Sequence, residues 1–212
     1  MKKKEKLIKP KEFLNSNMGN ITQKWVKLLI PFASGYRQKF TETELAKLSN
    51  IPQQSASRYL NSLVAENLLN YTVQGRNKLF FIDFSKPTAY TLLQTIESYK
   101  SLEFQQKVKE ASLIINEILI HSDAIILFGS YSAYAFDKES DIDIVLVGKA
   151  EKGSIKAIKN KYSININEHY ISYEEFAKAL KAKNALSLEI LKSHILFGNI
   201  SKIIRMIIEA TL

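Results

Sequence analysis

Apolar residues recur at helical spacing through the first third of the chain, between polar and charged positions. In residues 21–34 they lie three or four positions apart, as on one face of a helix, and Pro31 marks the point where this helix bends or ends. Thr41 and Glu44 have the spacing of a capping box, which predicts the start of a second, short helix. Pro52 suits the first turn of a third helix, where its missing N–H costs nothing.

An alternating pattern replaces the helical one after this third helix. Apolar and polar residues alternate on both sides of Gly75 in residues 69–84, which predicts a β-hairpin with Arg76 and Lys78 at its tip. Three helices and a basic hairpin predict a winged helix-turn-helix, in which the third helix enters the major groove of DNA and the hairpin contacts the backbone. Over residues 20–86 the sequence resembles the winged-helix domains of archaeal and bacterial transcription regulators, and we expect an archaeal source.

The polar face of the third helix carries short and amide side chains with one arginine. A face that only meets water more often carries Glu and Lys, whereas amides and Arg read base edges or bind phosphates. Together with the hairpin tip, the predicted DNA-binding residues are Gln53, Gln54, Ser55, Ser57, Arg58, Asn61, Arg76 and Lys78. The alternative is a winged helix that serves only for protein contact or dimerisation.

The middle of the chain has a helical period and contains neither Pro nor Gly from residue 88 to residue 121. This predicts one or two helices that join the two halves, with a natural boundary in front of them at Lys86-Pro87. The predicted organisation is a basic tail over residues 1–20, a winged helix over 21–87, linker helices packing on both domains over 88–121, and a second domain over 122–212.

Two short strands frame a small loop in the second half of the chain. The first ends at Phe128 and is followed by Gly129 and Ser130, where free backbone N–H groups and the start of a helix favour phosphate. In the second strand Asp141 and Asp143 alternate with isoleucine, so their carboxylates project from one face. Neighbouring carboxylates repel each other, and Mg²⁺, which is bound by oxygen ligands, relieves that repulsion. Two solvated aspartates are the alternative.

A second resemblance rests on the Gly-Ser loop together with Ser-Asp-Ile-Asp. The first aspartate of that sequence follows the serine of the loop by eleven positions. This pattern resembles the polymerase β-like nucleotidyltransferases, in particular their minimal branch, over about residues 112–200. The resemblance implies an NTP substrate, ATP in the first instance, and an acceptor that can be a partner protein, such as the toxin of a toxin–antitoxin pair. It implies nucleotide binding by Gly129, Ser130 and Ser140, and binding of Mg²⁺ or Mn²⁺ by the catalytic pair Asp141 and Asp143.

Two positions depart from the pattern of that family. The family has a glycine five residues after the first glycine of the loop, where this chain has Tyr134. The family also has a third carboxylate on a neighbouring strand, and the resemblance places Asn165 at that position. Asparagine can coordinate a metal weakly but is not a base at neutral pH. Glu168 is the nearby acid, and strand alternation puts it on the face opposite Asn165 and Asn167 unless a bulge intervenes.

The charge distribution adds to the case for DNA. The net charge is +9, and residues 1–87 supply the whole excess, although the lysine-rich first eleven residues account for part of it. The absence of cysteine excludes disulfides and cysteine-bound metals. Because no signal peptide and no membrane-spanning run is found, we expect a soluble, cytoplasmic protein, and a homodimer by analogy with winged-helix regulators.

The predicted fold class is therefore α+β, with an N-terminal winged helix-turn-helix, linker helices and a small α/β nucleotidyltransferase domain that contains a mixed sheet. Three functions remain open at this point. The first is Mg²⁺-dependent transfer of NMP from NTP, with an added DNA-binding function. The second is a DNA-binding regulator that senses nucleotide with little or no turnover, and the third is a scaffold with neither activity.

Overall fold

The computed structural model describes residues 23–210, so that the predicted basic tail and the start of the first predicted helix lie outside it. From residue 23 onward, the described N-terminal part contains three helices, a 3₁₀ turn and three short strands. In chain order they are α1 (Gln23–Leu29), the 3₁₀ turn (Ile30–Ser34), β1 (Phe40–Thr41), α2 (Glu42–Leu48), α3 (Gln53–Ala65), β2 (Asn70–Gln74) and β3 (Asn77–Phe81).

Local chemistry sets the boundaries of these helices. The Thr41 hydroxyl accepts from the Glu44 N–H at 3.2 Å, and the Thr41 N–H donates to the Glu44 carboxylate at 2.7 Å. This reciprocal pair is the predicted capping box, and it satisfies N–H groups that the helix leaves unpaired. Asn50 has a φ of +51° just before α3, a conformation that asparagine tolerates better than most residues. Pro52 caps the N-terminus of α3.

The predicted hairpin is present and forms most of a three-stranded antiparallel sheet with the strand order β1-β3-β2. Gln74 pairs with Asn77, which leaves a two-residue turn of Gly75 and Arg76. Gly75 has a φ of +60° at the first turn position, where glycine is favoured in hairpins of this kind. The hairpin tip therefore exposes Arg76 and Lys78 to solvent.

Two helices follow the sheet, α4 (Thr88–Lys107) and α5 (Lys109–Leu119). The break between them is at Val108, which leaves the helical region and donates its N–H to Phe104. The long helix α4 buries Leu93 and Ile96 toward the N-terminal helices, in a cluster that also includes residues of the second sheet. It thus contacts both halves of the molecule.

The second half contains a four-stranded mixed sheet with helices on both faces. Its elements are β4 (Ser122–Phe128), α6 (Gly129–Ser132), β5 (Ile142–Ala150), α7 (Lys152–Lys161), β6 (Ile166–Ile171), α8 (Tyr173–Ala182), α9 (Ala185–Lys192), β7 (Ile195–Gly198) and α10 (Ile200–Ala210). The strand order is β6-β5-β4-β7, in which β5 and β6 are parallel and the other two pairs are antiparallel. The α+β class and the mixed sheet are confirmed.

The fourth strand of this sheet is absent from the sequence prediction. Residues 173–199 have a helical apolar period, but the short run from Ile195 to Gly198 pairs with β4 instead. Strand β7 forms because the buried edge of β4 provides partners for its backbone groups, a nonlocal cause that a four-residue apolar run does not reveal.

Two apolar clusters cover the two faces of this sheet. One contains Val145 and Val147 of β5 with α8, α9 and α10, and it continues into the N-terminal helices. The other contains Ile142, Ile144 and Leu146 with α5 and α7. Because side chains alternate along a strand, the odd-numbered residues of β5 face the first cluster, and Asp143 lies at its end. Within residues 23–210, no helix has both the length and the apolar character needed to cross a bilayer.

Candidate functional site

The loop after β4 brings its backbone directly against an acidic side chain. Gly129 begins α6 with a φ of +67°, in the left-handed region that favours glycine. A Cβ at this position would lie 2.5 Å from the Asp143 Oδ2 atom. Only glycine therefore allows the loop to approach the carboxylate this closely, and the space beside it remains open for a ligand.

The two aspartates are placed together at the edge of the sheet that carries this loop. Asp143 is the second residue of β5 and pairs with Phe128, the last residue of β4, while Asp141 immediately precedes β5. Both side chains are half-buried, and Ile142 and Ile144 between and after them are buried on the opposite face. The structure thus brings together the Gly-Ser loop and the acid pair that the sequence singles out.

An asparagine joins the acid pair from the neighbouring strand. Asn167 of β6 is in register with Asp143, and its Nδ2 atom donates to Asp141 Oδ2 and to Asp143 Oδ1, at 3.1 Å in both cases. Asn167, and not Asn165, therefore occupies the place expected for a third ligand. Asn165 precedes β6, its side chain is exposed, and its carbonyl accepts from the Ile142 N–H at 2.9 Å.

Glu168, the other possible third ligand, lines the cavity described below but lies off the strand face that carries the acid pair. The register between β5 and β6 runs without a bulge, so Glu168 projects from the face opposite Asn167. There its carboxylate forms an ion pair with Lys159 of α7. Within residues 23–210, no group of three His, Cys, Asp or Glu side chains is placed to bind a metal ion.

The donor set nevertheless suits one hard cation. The two carboxylates match the oxygen ligands that Mg²⁺ prefers, with the remaining positions left to water and phosphate. The Asn167 oxygen would join them only after the amide turns, because its Nδ2 atom now faces both carboxylates. The space that a Cβ on Gly129 would fill lies against the same carboxylate. The residues present therefore fit a divalent metal that carries phosphates.

A cavity of about 730 Å³ opens beside the acid pair, within the size range of ligand sites. Sequence reasoning missed three of its lining residues. His169 shares a strand face with Asn167, and its ring centroid is 6.2 Å from that of Phe128, while Leu186 and Glu189 come from α9. Alternation along β6 could have identified His169, but nothing local indicates the two α9 residues. The cavity is lined by Phe128, Gly129, Asp143, Lys159, Asn165, Ile166, Asn167, Glu168, His169, Leu186 and Glu189.

Tyr134 stands where the family pattern has a glycine, and its backbone is in the left-handed region. Its φ is +54°, and its N–H donates to the Tyr131 carbonyl as α6 ends. Its ring centroid lies 6.1 Å from that of Phe104. Burial, and to a smaller extent the charge of Glu103, raise the pKa of Tyr134 to about 12. Because it lines a smaller, separate cavity of about 200 Å³, Tyr134 leaves the larger cavity open.

Ser140 is engaged with the loop in front of the acid pair. Its hydroxyl donates to Asp137 Oδ1 and accepts from the Asp137 N–H, both at 2.9 Å. These bonds close the turn that delivers Asp141 to the site. Ser130 is half-buried and its carbonyl accepts from the Ala135 N–H at 2.9 Å.

The predicted DNA-binding residues lie on α3 and on the hairpin of β2 and β3. Arg58 is exposed, with a nitrogen 3.5 Å from the Ser55 hydroxyl, and the Lys78 ammonium lies 4.5 Å from the ring centroid of Tyr71. Ser55 and Ser57 are half-buried, and the exposed members of the set are Gln53, Gln54, Arg58, Asn61, Arg76 and Lys78.

Comparison with known proteins identifies the second half of the chain. A family model described as "Nucleotidyltransferase domain" matches residues 103–211. The protein therefore belongs to the nucleotidyltransferase domain family. A search of curated proteins finds no match.

Two solved structures show weaker likenesses. One is Sso10a-2, a DNA-binding protein from Sulfolobus solfataricus, with 19% identity over 46% of this chain and 96% of that chain and a TM-score of 0.32. The other is TrmBL2, an archaeal chromatin protein, with 15% identity over 82% of this chain and 71% of that chain and a TM-score of 0.29.

Proposed function

We propose that the protein is a DNA-binding regulator whose nucleotidyltransferase domain binds an NTP with Mg²⁺ but transfers NMP slowly or not at all. The observation that carries this proposal is the position of Asn167, which bridges Asp141 and Asp143 where a third carboxylate is expected. The proposal separates two properties of the site, namely binding of the metal–nucleotide and its turnover.

Binding is assigned to the loop and the acid pair. The Gly129 backbone and Ser130 would hold the phosphates, Asp141 and Asp143 would hold Mg²⁺ or Mn²⁺, and ATP is the proposed nucleotide. A bound divalent metal would neutralise phosphate charge and polarise the phosphoryl group. Ser140, through its bonds to Asp137, would fix the approach of Asp141.

Slow turnover follows from the chemistry of the third position. A carboxylate there can take a proton from an attacking group, whereas a carboxamide cannot at neutral pH. Asn167 does keep an amide oxygen that can complete a metal's ligand set. The site therefore retains what phosphate binding needs and lacks one group that transfer uses.

A second candidate function is NMP transfer to a partner protein, which could be toxin-like. Family membership and the intact Gly129, Ser130, Asp141 and Asp143 favour it. The acceptor in that case would have to supply its own activated nucleophile. Both candidates share the nucleotide site and differ only in turnover.

DNA binding is assigned to the N-terminal part, which we propose to be a winged helix. Helix α3 presents amide side chains and Arg58 on an exposed face, and the hairpin presents Arg76 and Lys78. The proposed division of the chain is a winged helix over 21–87, linker helices over 88–121 and the nucleotidyltransferase domain over 122–212. We further propose a homodimer, which matches the two half-sites that such domains read, and a cytoplasmic location where DNA and NTP are present.

Calorimetric titration with a non-hydrolysable ATP analogue tests the binding part of the proposal, and single-turnover assays with α-labelled ATP test the turnover part. We expect the analogue to bind in the presence of Mg²⁺, to lose most of its affinity in Asp143→Asn, and wild-type protein to transfer little label. Absence of Mg²⁺-dependent binding would overturn the proposal. Binding accompanied by rapid labelling of a partner would favour the second candidate instead.

A further inference from the structure

Three buried polar side chains meet where the N-terminal part, the linker helix and the nucleotidyltransferase domain come together. Tyr36 follows the 3₁₀ turn, Glu97 lies in α4 and His194 precedes β7, and their exposed fractions are 4%, 0% and 3%. The Tyr36 hydroxyl donates to Glu97 Oε1 at 3.0 Å, and His194 Nε2 lies 3.2 Å from the same oxygen. We call these three residues the junction.

The junction contains a buried ion pair. His194 Nδ1 lies 2.7 Å from the Ile190 carbonyl and its Nε2 lies 3.2 Å from Glu97, so each ring nitrogen has an oxygen partner. Lys100 binds the other Glu97 oxygen at 2.9 Å. Buried pairs of this kind add little net stability, but losing one partner leaves an uncompensated charge. They therefore fix how the three parts fit together.

The junction is connected to the loop of the nucleotide site. Ser193, next to His194 in the chain, shares a hydrogen bond of 2.9 Å with the hydroxyl of Ser132 in α6. The single hydrogen of the Ser132 hydroxyl has two further acceptors within reach, the Gly129 carbonyl at 2.9 Å and the Ser193 carbonyl at 3.2 Å. A movement of the Gly129-Ser130 loop on ligand binding would therefore displace Ser193 and, next to it, His194.

Cavities on both sides leave the junction room for a second arrangement. One of about 300 Å³ is bordered by Tyr36, His194 and Leu191, and one of about 200 Å³ is bordered by Ser132 and His194. Side chains in a closely packed interior have little room to move, whereas side chains that border a cavity can adopt an alternative position. The Tyr36–Glu97 bond is a buried polar contact between the N-terminal part and α4, beside the apolar contacts that Leu93 and Ile96 make there.

We infer that this chain of contacts couples the two proposed sites, so that NTP binding at Gly129 and Ser130 changes DNA affinity through Ser132, Ser193, His194, Glu97 and Tyr36. The inference rests on the proposed function and adds its regulation. Coupling between sites is reciprocal, so DNA must change nucleotide affinity by the same factor. Tyr36, Ser132, Ser193 and His194 act here as positioning residues that do not touch either ligand.

The test measures DNA affinity by fluorescence anisotropy with and without a saturating Mg²⁺–ATP analogue, on a duplex carrying the promoter of the protein's own gene. Wild-type protein is expected to change its Kd by about fivefold or more, the lower end of typical allosteric coupling. In Tyr36→Phe and in Ser132→Ala, which removes every hydrogen bond from Ser132 to Ser193, the change should fall to about twofold or less, while each ligand alone still binds. Tyr162→Phe is the matched control, because Tyr162 donates to Glu117 at 2.7 Å on the other face of the sheet.

The outcomes separate this inference from the proposed function. If wild-type protein binds neither the analogue nor DNA, the proposed function fails and the coupling fails with it. If both ligands bind and neither changes the affinity for the other, only the coupling is overturned. If Tyr36→Phe and Ser132→Ala keep the full change shown by Tyr162→Phe, the junction does not carry the coupling.

Discussion

Asn167 lies in register with Asp143 on the neighbouring parallel strand, and its single amide nitrogen donates to both Asp143 and Asp141 at 3.1 Å. The two hydrogens of the amide group satisfy one oxygen of each carboxylate, which offsets part of the repulsion between them. The site is thus held together by a neutral group where its family pattern has an acid. This arrangement separates nucleotide binding from nucleotide turnover in a way that single substitutions can test.

Gly129→Ala should destroy the nucleotide site and destabilise the protein. A Cβ at Gly129 would lie 2.5 Å from Asp143 Oδ2, and the φ of +67° is strained for alanine. We expect ATP-analogue affinity to fall about tenfold or more, equivalent to about 1.4 kcal/mol of binding free energy. The conformational strain adds a loss of roughly 1–2 kcal/mol in the free energy of unfolding.

Gly75→Ala is the matched control for this prediction. Gly75 has a similar φ of +60°, but no atom lies within 4 Å of a Cβ built there. It should show only the conformational part of the cost in unfolding free energy and unchanged affinity for the analogue, measured by urea unfolding and calorimetry. If Gly129→Ala and Gly75→Ala bind the analogue with equal affinity, the Gly129 loop does not take part in nucleotide binding.

Arg58→Ala and Arg76→Ala should weaken DNA binding in different ways. In the proposed winged helix Arg58 on α3 would read bases, so its loss should cost about 1–3 kcal/mol on a specific site and little on a shuffled duplex. Arg76 on the hairpin would contact phosphate, so its loss should lower affinity on every sequence and reduce the salt slope by about 1. Lys156→Ala removes an exposed lysine of α7 and should change neither property. DNA binding without any dependence on salt would contradict this assignment.

The buried Glu97 should make the protein sensitive to acid. Burial would raise the pKa of Glu97, but the charges of Lys100 and His194 and their hydrogen bonds lower it from 4.5 to about 2. A carboxyl whose pKa is lowered by folding stabilises the folded state above its unfolded pKa, and this contribution is lost as the pH falls toward the folded value. It amounts to on the order of 3 kcal/mol, at 1.36 kcal/mol per pKa unit.

Urea unfolding between pH 7 and pH 3 tests this dependence in wild-type protein and Glu97→Gln. The unfolding free energy of wild-type protein should fall more steeply below about pH 4.5, because only wild-type protein loses the Glu97 contribution there. Glu174→Gln changes an exposed carboxylate in the first turn of α8 and serves as the control. Parallel curves for wild-type protein and Glu97→Gln would show that Glu97 does not titrate with the folding reaction.

Features that depend on neighbours in the sequence could be predicted from it. The capping box at Thr41, the hairpin turn at Gly75 and the alternation that places Asp141 and Asp143 together are of this kind. Each requires only residues a few positions apart, and the physical preferences of those residues suffice.

Features that depend on distant partners could not be predicted. Alternation puts Asn165 and Asn167 on one face, but only the pairing of β5 with β6 decides that Asn167 reaches the aspartates. Strand β7 likewise forms because β4 offers it a partner. The junction joins residues 61 and 97 positions apart, for which no local pattern exists.

The central claim is that the site binds Mg²⁺ and NTP but transfers NMP slowly, because Asn167 stands where a carboxylate would act as a base. The most direct test restores the carboxylate with Asn167→Asp and measures transfer from α-labelled ATP in the presence of Mg²⁺. Asn165→Asp, two residues earlier in the chain, is the control. We expect Asn167→Asp to exceed wild-type turnover by about 10²-fold or more, the usual contribution of a general base, and Asn165→Asp to stay at the wild-type rate. Equal turnover in wild-type protein, Asn167→Asp and Asn165→Asp would contradict the claim.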